Sequence, residues 1–266
     1  MADIQRRHML TGLLVGSGAL GLASAASAQN KGQDNYEAQT VQNALQDYKD
    51  PDALAVTPMG QDWANLHRYK KSNDEVAAWP EEKRRVIMMG DSITDNWPGL
   101  SGSFFSDNGL VGRGISGQTT AQMLVRFMPE VVALRPKAVH IMGGTNDIAE
   151  NQDPYDPVAT TNNLQAMANL ASVYGIKVIM ASVPPATSFN WHMDIGNPNE
   201  KIVALNTWIK SVCETPGYTY VDYWPVLATA DGALKPELGL DSVHPNAAGY
   251  AAMDPLTLAA IGRALA

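Results

Sequence analysis

Short apolar runs alternate with amphipathic stretches along most of the chain. Five runs have the length and apolar content of buried strands: Arg85–Gly90, Gly109–Gly114, Ala138–Gly143, Lys177–Val183 and Tyr218–Tyr223. Between the runs, apolar residues recur three or four positions apart, as in Ile202, Leu205 and Ile209, which is the spacing of one helix face. Strands that alternate with helices in this way predict one α/β domain, with a parallel sheet and helices on both of its faces.

Two segments of different character lie between residue 28 and the first predicted strand. Residues 29–60 are polar and lack periodicity, which predicts a loosely ordered arm ahead of a domain that spans 61–266. The stretch DWANLHRYKKSNDEVAAW, at 62–79, predicts a surface helix packed against the domain, with Asp62 as its N-cap and Trp63 and Leu66 on one face.

The first 28 residues have the order of features that an export signal requires. Arg6-Arg7 precedes a weakly apolar segment at 9–23, and the pattern Ala26-Ser27-Ala28 follows as a cleavage site. The apolar segment is too short and too rich in Gly and Ser to span a bilayer. The paired arginines resemble a twin-arginine signal. We therefore expect cleavage before Gln29 and export to the periplasm or the extracellular medium, without stable membrane insertion.

The composition of the chain argues against several kinds of partner and of functional site. The chain has 266 residues, 45% of them hydrophobic, enough for a full α/β core. Its formal net charge of -8 argues against nucleic acid or an anionic membrane as the main partner. Cys213 is the only cysteine, so no internal disulfide can form, and the five histidines are scattered. We therefore expect no cofactor and no metal site. None of these features specifies an oligomeric state.

Polar motifs follow four of the predicted strands. The first strand ends in Gly90-Asp91-Ser92, the second runs into GRGISGQTT at 112–120, the third into GGTNDI at 143–148, and LGLDSVHPNAAGY at 238–250 follows the fifth. Each motif alone is explained by turn or helix-cap chemistry. Because the carboxyl ends of parallel strands meet at one edge of a sheet, their co-occurrence predicts a shared cleft.

The residue types in these motifs are those of nucleophilic acyl transfer. The hydroxyl of Ser92 needs a base within hydrogen-bond reach, and His244 is the candidate. Asp241, three residues before His244, is expected to lie beside it on a helical turn and to orient its ring. The backbone N–H groups of Ser92 and Gly117 and the side-chain amide of Asn146 are the candidate donors of an oxyanion hole.

The motifs GDSIT, GISGQTT, GTND and DSVHPN resemble, in order, the four blocks of the SGNH, or GDSL-type, hydrolase family. The resemblance covers residues 85–266 and implies a three-layer α/β/α sandwich of flavodoxin-like type with about five parallel strands. It places the quartet that gives the family its name on Ser92, Gly117, Asn146 and His244. It also implies a serine esterase that uses no cofactor.

Three details bear on this resemblance. Ile93 stands where the family's other name has leucine, a common apolar variation. The α/β-hydrolases share the order Ser, Asp, His, but the chain contains no G-x-S-x-G motif, which excludes that family. Asp91 is interpreted as a residue that caps or shapes the loop rather than as a catalytic carboxylate.

Members of the resembled family cleave lipid esters, thioesters, acetylated sugars and aryl esters, so the resemblance leaves the substrate open. Trp97 and Trp191 are predicted on loops near the cleft, where aromatic rings suit a sugar ring or a small aryl group. No long amphipathic insert separates the motifs, which disfavours a lidded lipase. These features favour a short-chain ester, an acetyl ester above all, carried by a carbohydrate or a small molecule.

Three alternatives stay open at this point. A lysophospholipase or a general short-chain esterase would use the same residues. An acyltransferase would use them as well, because the acceptor depends on the access of water to the acyl-enzyme. A non-catalytic carbohydrate-binding protein on the same scaffold is the alternative of another class, although the presence of the whole quartet speaks against it.

Overall fold

Five parallel strands form the sheet around which residues 62–266, those that the computed structural model describes, are arranged. The strands are β1 Val86–Gly90, β2 Leu110–Gly114, β3 Ala138–Met142, β4 Lys177–Ala181 and β5 Tyr218–Val221. Each lies within one of the five predicted apolar runs, so the predicted strands and the α/β class are confirmed. The predicted export signal at 1–28 and the predicted arm at 29–60 lie outside the described residues.

The strand order across the sheet is β2-β1-β3-β4-β5, which is the flavodoxin-like order. The register aligns Gly90 at the end of β1 with Gly114 of β2 and with Met142 of β3. The direction of the connections reverses between β1 and β3, and open α/β sheets bind ligands beyond the carboxyl ends at such a point. The motifs that follow these three strands therefore start level with one another at one edge.

Helices connect the strands and cover the sheet. They are α1 Lys70–Ala77, α2 Ser92–Leu100, α3 Phe104–Asn108, α4 Thr120–Phe127, α5 Thr145–Ile148, α6 Pro157–Val173, α7 Asn199–Val212, α8 Trp224–Leu227 and α9 Ala247–Leu265. A π-helical turn, Met128–Val132, follows α4, and short 3-10 turns lie at Glu81–Arg84, Met193–Ile195 and Pro236–Leu238.

The helices form two layers, one on each face of the sheet. Helix α2 packs on β1 and β2 and against α9, whereas α4, α6 and α7 pack in series and cover β1, β4 and β5. Right-handed crossovers explain the division, because the connection from β1 to β2 crosses the sheet in the opposite direction from the later connections. Strands β1 and β3 are buried along their whole length between the layers. The predicted three-layer sandwich is confirmed.

Helix α9 continues through Pro255, although a proline inside a helix usually kinks or breaks it. Pro255 and Ala251, whose carbonyl loses its helical partner, both lie on the exposed face of the helix. Water can satisfy that carbonyl there, so the helix tolerates the proline. No helix within residues 62–266 combines the length and the apolar character that a membrane span needs.

The segment at 62–79 is only partly helical. Helix α1 begins at Lys70, and a series of turns precedes it. Asp62 caps the first of these turns, since its Oδ1 accepts from Leu66 N at 2.8 Å. The prediction of one helix that starts at Asp62 is therefore wrong: Trp63 and Leu66 lie in the turns instead, and they are 46% and 41% exposed. The turns direct the small Ala64 inward instead, and it is buried.

The prediction that Trp97 faces a substrate from a loop is also wrong. Trp97 lies on α2, one turn after Ile93, and its side chain is completely buried. Its ring stacks on Tyr250 with 5.3 Å between centroids, and its Nε1 donates to Asp254 Oδ1 at 2.8 Å. Residues four apart on a helix share one face. Because α2 starts at the serine, Trp97 follows Ile93 into the core between α2 and α9.

A buried arginine joins the ends of β1 and β2. Arg126 of α4 is 0% exposed. Its guanidinium donates to Gly90 O at 2.7 Å, to Arg113 O at 2.8 Å and, through Nε, to Gln118 Oε1 at 2.6 Å. It also forms an ion pair with the buried Glu130. Burial raises the pKa of the Glu130 carboxyl, and the adjacent arginine opposes that shift.

We expect Arg126→Met to destabilise the domain strongly. The substitution leaves the Glu130 carboxylate without its cation in the interior, and breaking a buried pair from one side costs roughly 3–5 kcal/mol. Urea unfolding at neutral pH measures the loss. The double variant Arg126→Met/Glu130→Met is the control: removal of the stranded carboxylate should recover part of the lost free energy. A single variant as stable as the native chain would contradict this role for the arginine.

Candidate active site

Ser92 lies in the first turn of α2, directly after β1. Gly90 ends the strand, and a Cβ atom there would approach Met142 O to 2.7 Å, so only glycine fits. Asp91 is the N-cap, as interpreted from the sequence, since its Oδ1 accepts from Ile93 N at 3.0 Å. Gly90 and Asp91 therefore have the turn and cap roles that such residues commonly have. Those roles place Ser92 at the carboxyl edge of the sheet, where a site can form.

The structure brings Ser92, His244 and Asp241 into one hydrogen-bonded series. Ser92 Oγ lies 2.9 Å from His244 Nε2, and His244 Nδ1 lies 2.8 Å from Asp241 Oδ2. When Asp241 is ionised, Nδ1 carries the proton that bonds the carboxylate, and Nε2 accepts from the serine hydroxyl. Both Ser92 and His244 are only 8% exposed, so the contact is largely shielded from water.

The geometry of the Asp241–His244 pair does not come from the helical turn that the sequence predicts. Residues 240–244 form a bend, and Asp241 Oδ1 accepts from Val243 N and from His244 N, both at 2.7 Å. This Asx-type turn orients the carboxylate and the imidazole together. Burial acts to raise the pKa of Asp241, but the hydrogen bonds from His244 and the backbone outweigh it, so the pKa is lowered and the carboxylate stays ionised.

Gly117 lies in the loop after β2 with φ of 78°. This left-handed conformation strains any residue with a Cβ, so glycine is required for the backbone rather than for space. Asn146 lies at the start of α5, after β3, and is 2% exposed. Its Nδ2 donates one hydrogen to Gln118 O at 2.9 Å, and the amide has a second N–H to offer to an oxyanion. The loop after β2 and the helix after β3 are thus joined.

Asn151 is a polar residue of this site that the sequence analysis missed. Its Nδ2 lies 2.7 Å from Asn146 Oδ1 and 3.2 Å from Gly117 O, so it contacts two of the three residues that carry candidate oxyanion donors. The signal available in the sequence is weak. Asn151 follows Asn146 by five residues, just beyond the short helix α5, where an asparagine reads as an ordinary loop residue.

Trp191 lies at the site, unlike Trp97. Its ring is 46% exposed, with 6.0 Å between its centroid and that of His244. Phe189, which is fully buried, supports the indole from within at a centroid distance of 5.3 Å. The Nε1 of Trp191 donates to Asn151 Oδ1 at 2.8 Å. The indole is thus held beside the histidine while part of it stays exposed to solvent.

Two further carboxyls lie near the site: Asp147 is partly buried, and Asp91 is buried. Asp147 accepts from Thr120 N at 2.9 Å and from Thr120 Oγ1 at 2.5 Å, which joins α5 to the start of α4. Burial raises its pKa. Burial also raises the pKa of Asp91 to about 6, and its Oδ2 has no hydrogen-bond partner among the described residues. Within residues 62–266, no three His, Cys, Asp or Glu side chains group as a metal site would require.

The family model of the GDSL-like lipase/acylhydrolase family matches residues 88–252. The match spans more than half of the chain and contains all the motifs described above, and the chain therefore belongs to this family. Membership makes it an ester-hydrolysing enzyme. No curated protein matches the chain.

Solved structures with the same fold agree with the family. A GDSL-like lipase from Bacteroides thetaiotaomicron VPI-5482 is 40% identical over 76% of this chain and 99% of its own, with a TM-score of 0.73. A proposed acylhydrolase from Bacteroides fragilis NCTC 9343 is 40% identical over 77% and 100%, with a TM-score of 0.75. An acetylxylan esterase from Geobacillus stearothermophilus is 22% identical over 66% and 93%, with a TM-score of 0.53, and shares the fold.

We expect Asp91→Asn to change how stability depends on pH. Burial raises the pKa of Asp91 to about 6 from an ordinary 3.8, so between these values the folded protein holds a proton that the unfolded chain has lost. The free energy of unfolding then falls as pH rises from about 4 to 6, by up to about 3 kcal/mol for this group.

Urea unfolding of both proteins across this pH range measures the effect. The Asp91→Asn variant keeps an oxygen for Ile93 N but has no proton to lose, so its stability should fall less with rising pH. Identical pH dependence in the two proteins would show that burial does not raise the pKa of Asp91.

Proposed function

We propose that this acylhydrolase is a serine esterase that removes short acyl groups, acetyl above all, from carbohydrates or small molecules through an acyl-enzyme on Ser92. The observation that carries the proposal is the series Ser92 Oγ, His244 Nε2, His244 Nδ1 and Asp241 Oδ2, with contacts of 2.9 and 2.8 Å. A hydroxyl, a base and an acceptor that orients the base are the parts that nucleophilic acyl transfer needs.

The reaction begins when His244 Nε2 takes the hydroxyl proton and Ser92 Oγ attacks the acyl carbon. The carbonyl oxygen becomes an oxyanion, which the N–H groups of Ser92 and Gly117 and the amide of Asn146 stabilise. His244 then gives its proton to the alcohol oxygen as the ester bond breaks. Water enters, loses a proton to His244 and attacks the acyl-enzyme, and collapse of the second tetrahedral intermediate releases the acid and restores the serine.

The position of Trp191 supports a leaving group with a flat apolar face. His244 protonates the leaving alcohol, so a ring 6.0 Å from His244 lies where the alcohol part of the ester must sit. Aromatic faces bind the C–H faces of sugars and the rings of aryl alcohols. A protein with the same fold is named an acetylxylan esterase, which supports the proposal.

Export belongs to the same proposal. The arginine pair, the apolar segment and the Ala26-Ser27-Ala28 pattern support a cleavable signal at 1–28, and an exported esterase meets carbohydrate esters outside the cytoplasm. The exposed ring of Trp191 beside His244 suits a substrate that diffuses in from solution.

We expect a fluorophosphonate to label the native protein at Ser92 and to leave Ser92→Ala unlabelled. Only a serine activated by a base reacts at a useful rate, so Ser92→Ala should also lose ester hydrolysis to background. Intact-mass spectrometry and release of p-nitrophenol measure the two effects. Ser172→Ala, which changes an exposed serine near the end of α6, is the control and should behave as the native protein. Substantial turnover by Ser92→Ala would contradict the mechanism, and an unlabelled native protein would favour a binding role.

We expect kcat/KM to favour acetyl to butyryl esters over decanoyl esters. A methylene that finds an apolar wall contributes about 0.8 kcal/mol, close to fourfold in kcat/KM, and the motifs are joined without an insert that would build such a wall. A panel of p-nitrophenyl esters, acetylated xylo-oligosaccharides and lysophosphatidylcholine measures the preference. A steady rise towards decanoyl, or a preference for the lysophospholipid, would contradict this prediction and favour the lipid alternative.

The same panel tests Trp191. Trp191→Ala should reduce kcat/KM for acetylated xylo-oligosaccharides more than for p-nitrophenyl acetate, because the sugar uses the ring face. Trp79→Ala removes a similarly exposed indole ahead of β1, at the opposite edge of the sheet, and is the matched control. Equal losses on both substrates would remove the support for a carbohydrate leaving group.

A further inference from the structure

We propose that Asn151 is a positioning residue that holds Gly117 and Asn146 in the geometry of an oxyanion hole. The inference rests on the proposed function, in which those two residues stabilise the oxyanion. Asn151 does not itself belong to the predicted quartet, and its role is to act through the two donors that it contacts.

The contacts form a closed ring. Asn151 Nδ2 donates to Asn146 Oδ1 at 2.7 Å and to Gly117 O at 3.2 Å. Asn146 Nδ2 donates to Gln118 O at 2.9 Å, and the peptide bond between residues 117 and 118 completes the ring. A backbone bond from Asn151 N to Asn146 O at 3.1 Å holds the two asparagines together from the other side. Two of the three residues that carry candidate donors, Gly117 and Asn146, are therefore members of one hydrogen-bonded cycle.

The chemistry of the partners leaves one orientation for the Asn151 amide. Gly117 O and Asn146 Oδ1 only accept, so both require the NH2 group of Asn151. Trp191 Nε1 only donates, and it reaches Asn151 Oδ1 at 2.8 Å. An amide turned by 180° would place oxygen against two oxygens and nitrogen against an N–H. All three side-chain contacts of Asn151 thus agree on the same arrangement.

Asn151 restrains the conformational freedom of both Asn146 and Gly117. The terminal torsion of an asparagine is broad, so Asn146 needs a fixed partner on its oxygen to keep its amide hydrogens directed into the site. Gly117 has the widest backbone freedom of any residue type, and the bond to its carbonyl restrains the loop that carries its N–H. An oxyanion hole is effective because its donors are oriented before charge develops.

Asn151→Ala should lower kcat on the order of 10- to 100-fold, with KM little changed, because misplaced donors weaken binding of the transition state more than binding of the ester. Asn151→Asp keeps the size of the side chain and the acceptor for Trp191 but presents oxygens to Gly117 O and Asn146 Oδ1, so it should lose at least as much. Hydrolysis of p-nitrophenyl acetate by the purified chain gives kcat and KM for each variant.

Gln152→Ala is the matched control. Gln152 is the next residue, and its amide likewise bonds an indole: its Oε1 accepts from Trp63 Nε1 at 3.2 Å, outside the hydrogen-bonded ring. It should keep the native kcat. A native kcat in both Asn151 variants, or an equal loss in Gln152→Ala, would overturn the inference.

A double variant separates positioning from a general effect on folding. If Asn151 acts through Asn146, Asn146→Ala/Asn151→Ala should lose less in kcat than the product of the two single losses. Fully multiplicative losses would overturn the inference.

Fluorophosphonate labelling of the native chain distinguishes failure of the proposed function from failure of the role of Asn151. A native protein that is unlabelled and inactive would refute the proposed function. A native protein that is labelled and active, with Asn151 variants that keep the native kcat, would refute only the role of Asn151.

Discussion

The geometry of the site depends on the buried guanidinium of Arg126. A charge in the interior is stable only when its hydrogen bonds and its counter-ion are supplied. Here they come from Gly90 O, Arg113 O, Gln118 Oε1 and Glu130, which belong to β1, β2, the loop after β2 and the turn after α4. One side chain therefore holds together, directly below the site, the segments that carry the nucleophile and one candidate oxyanion donor.

Hydrogen bonds continue from this buried point to the surface. Gln118 accepts from the arginine through its side chain and from Asn146 through its carbonyl, Asn146 accepts from Asn151, and Asn151 accepts from Trp191. Glycine at 117 supplies the left-handed backbone of the loop that carries a candidate N–H donor, and the surrounding bonds then restrain this loop. A continuous series of hydrogen bonds thus connects the buried Arg126 to the solvent-exposed indole of Trp191.

The carboxyls around Ser92 have different environments and different protonation. Asp241 receives bonds from His244 and the backbone, which lower its pKa despite burial, so it can orient the histidine as an anion. Asp91 is buried beside the same serine with one oxygen unpaired, and burial raises its pKa to about 6. Asp241 is thus an ionised group that orients the histidine, whereas Asp91 is a structural cap. The environment of each aspartate, not the residue type, determines its pKa.

The sequence alone determined the sheet and the candidate catalytic residues, because apolar runs mark buried strands and the carboxyl ends of parallel strands share one edge. It did not distinguish Trp97 from Trp191, since both look like aromatics beside a motif. Only the start of α2 at Ser92 directs Trp97 into the core. The role of Asn151 could not be predicted from the sequence for a related reason. Its partners Gly117 and Trp191 lie 34 and 40 residues from it along the chain. Contacts of that range leave no local pattern, because they exist only once the strands have brought distant loops together.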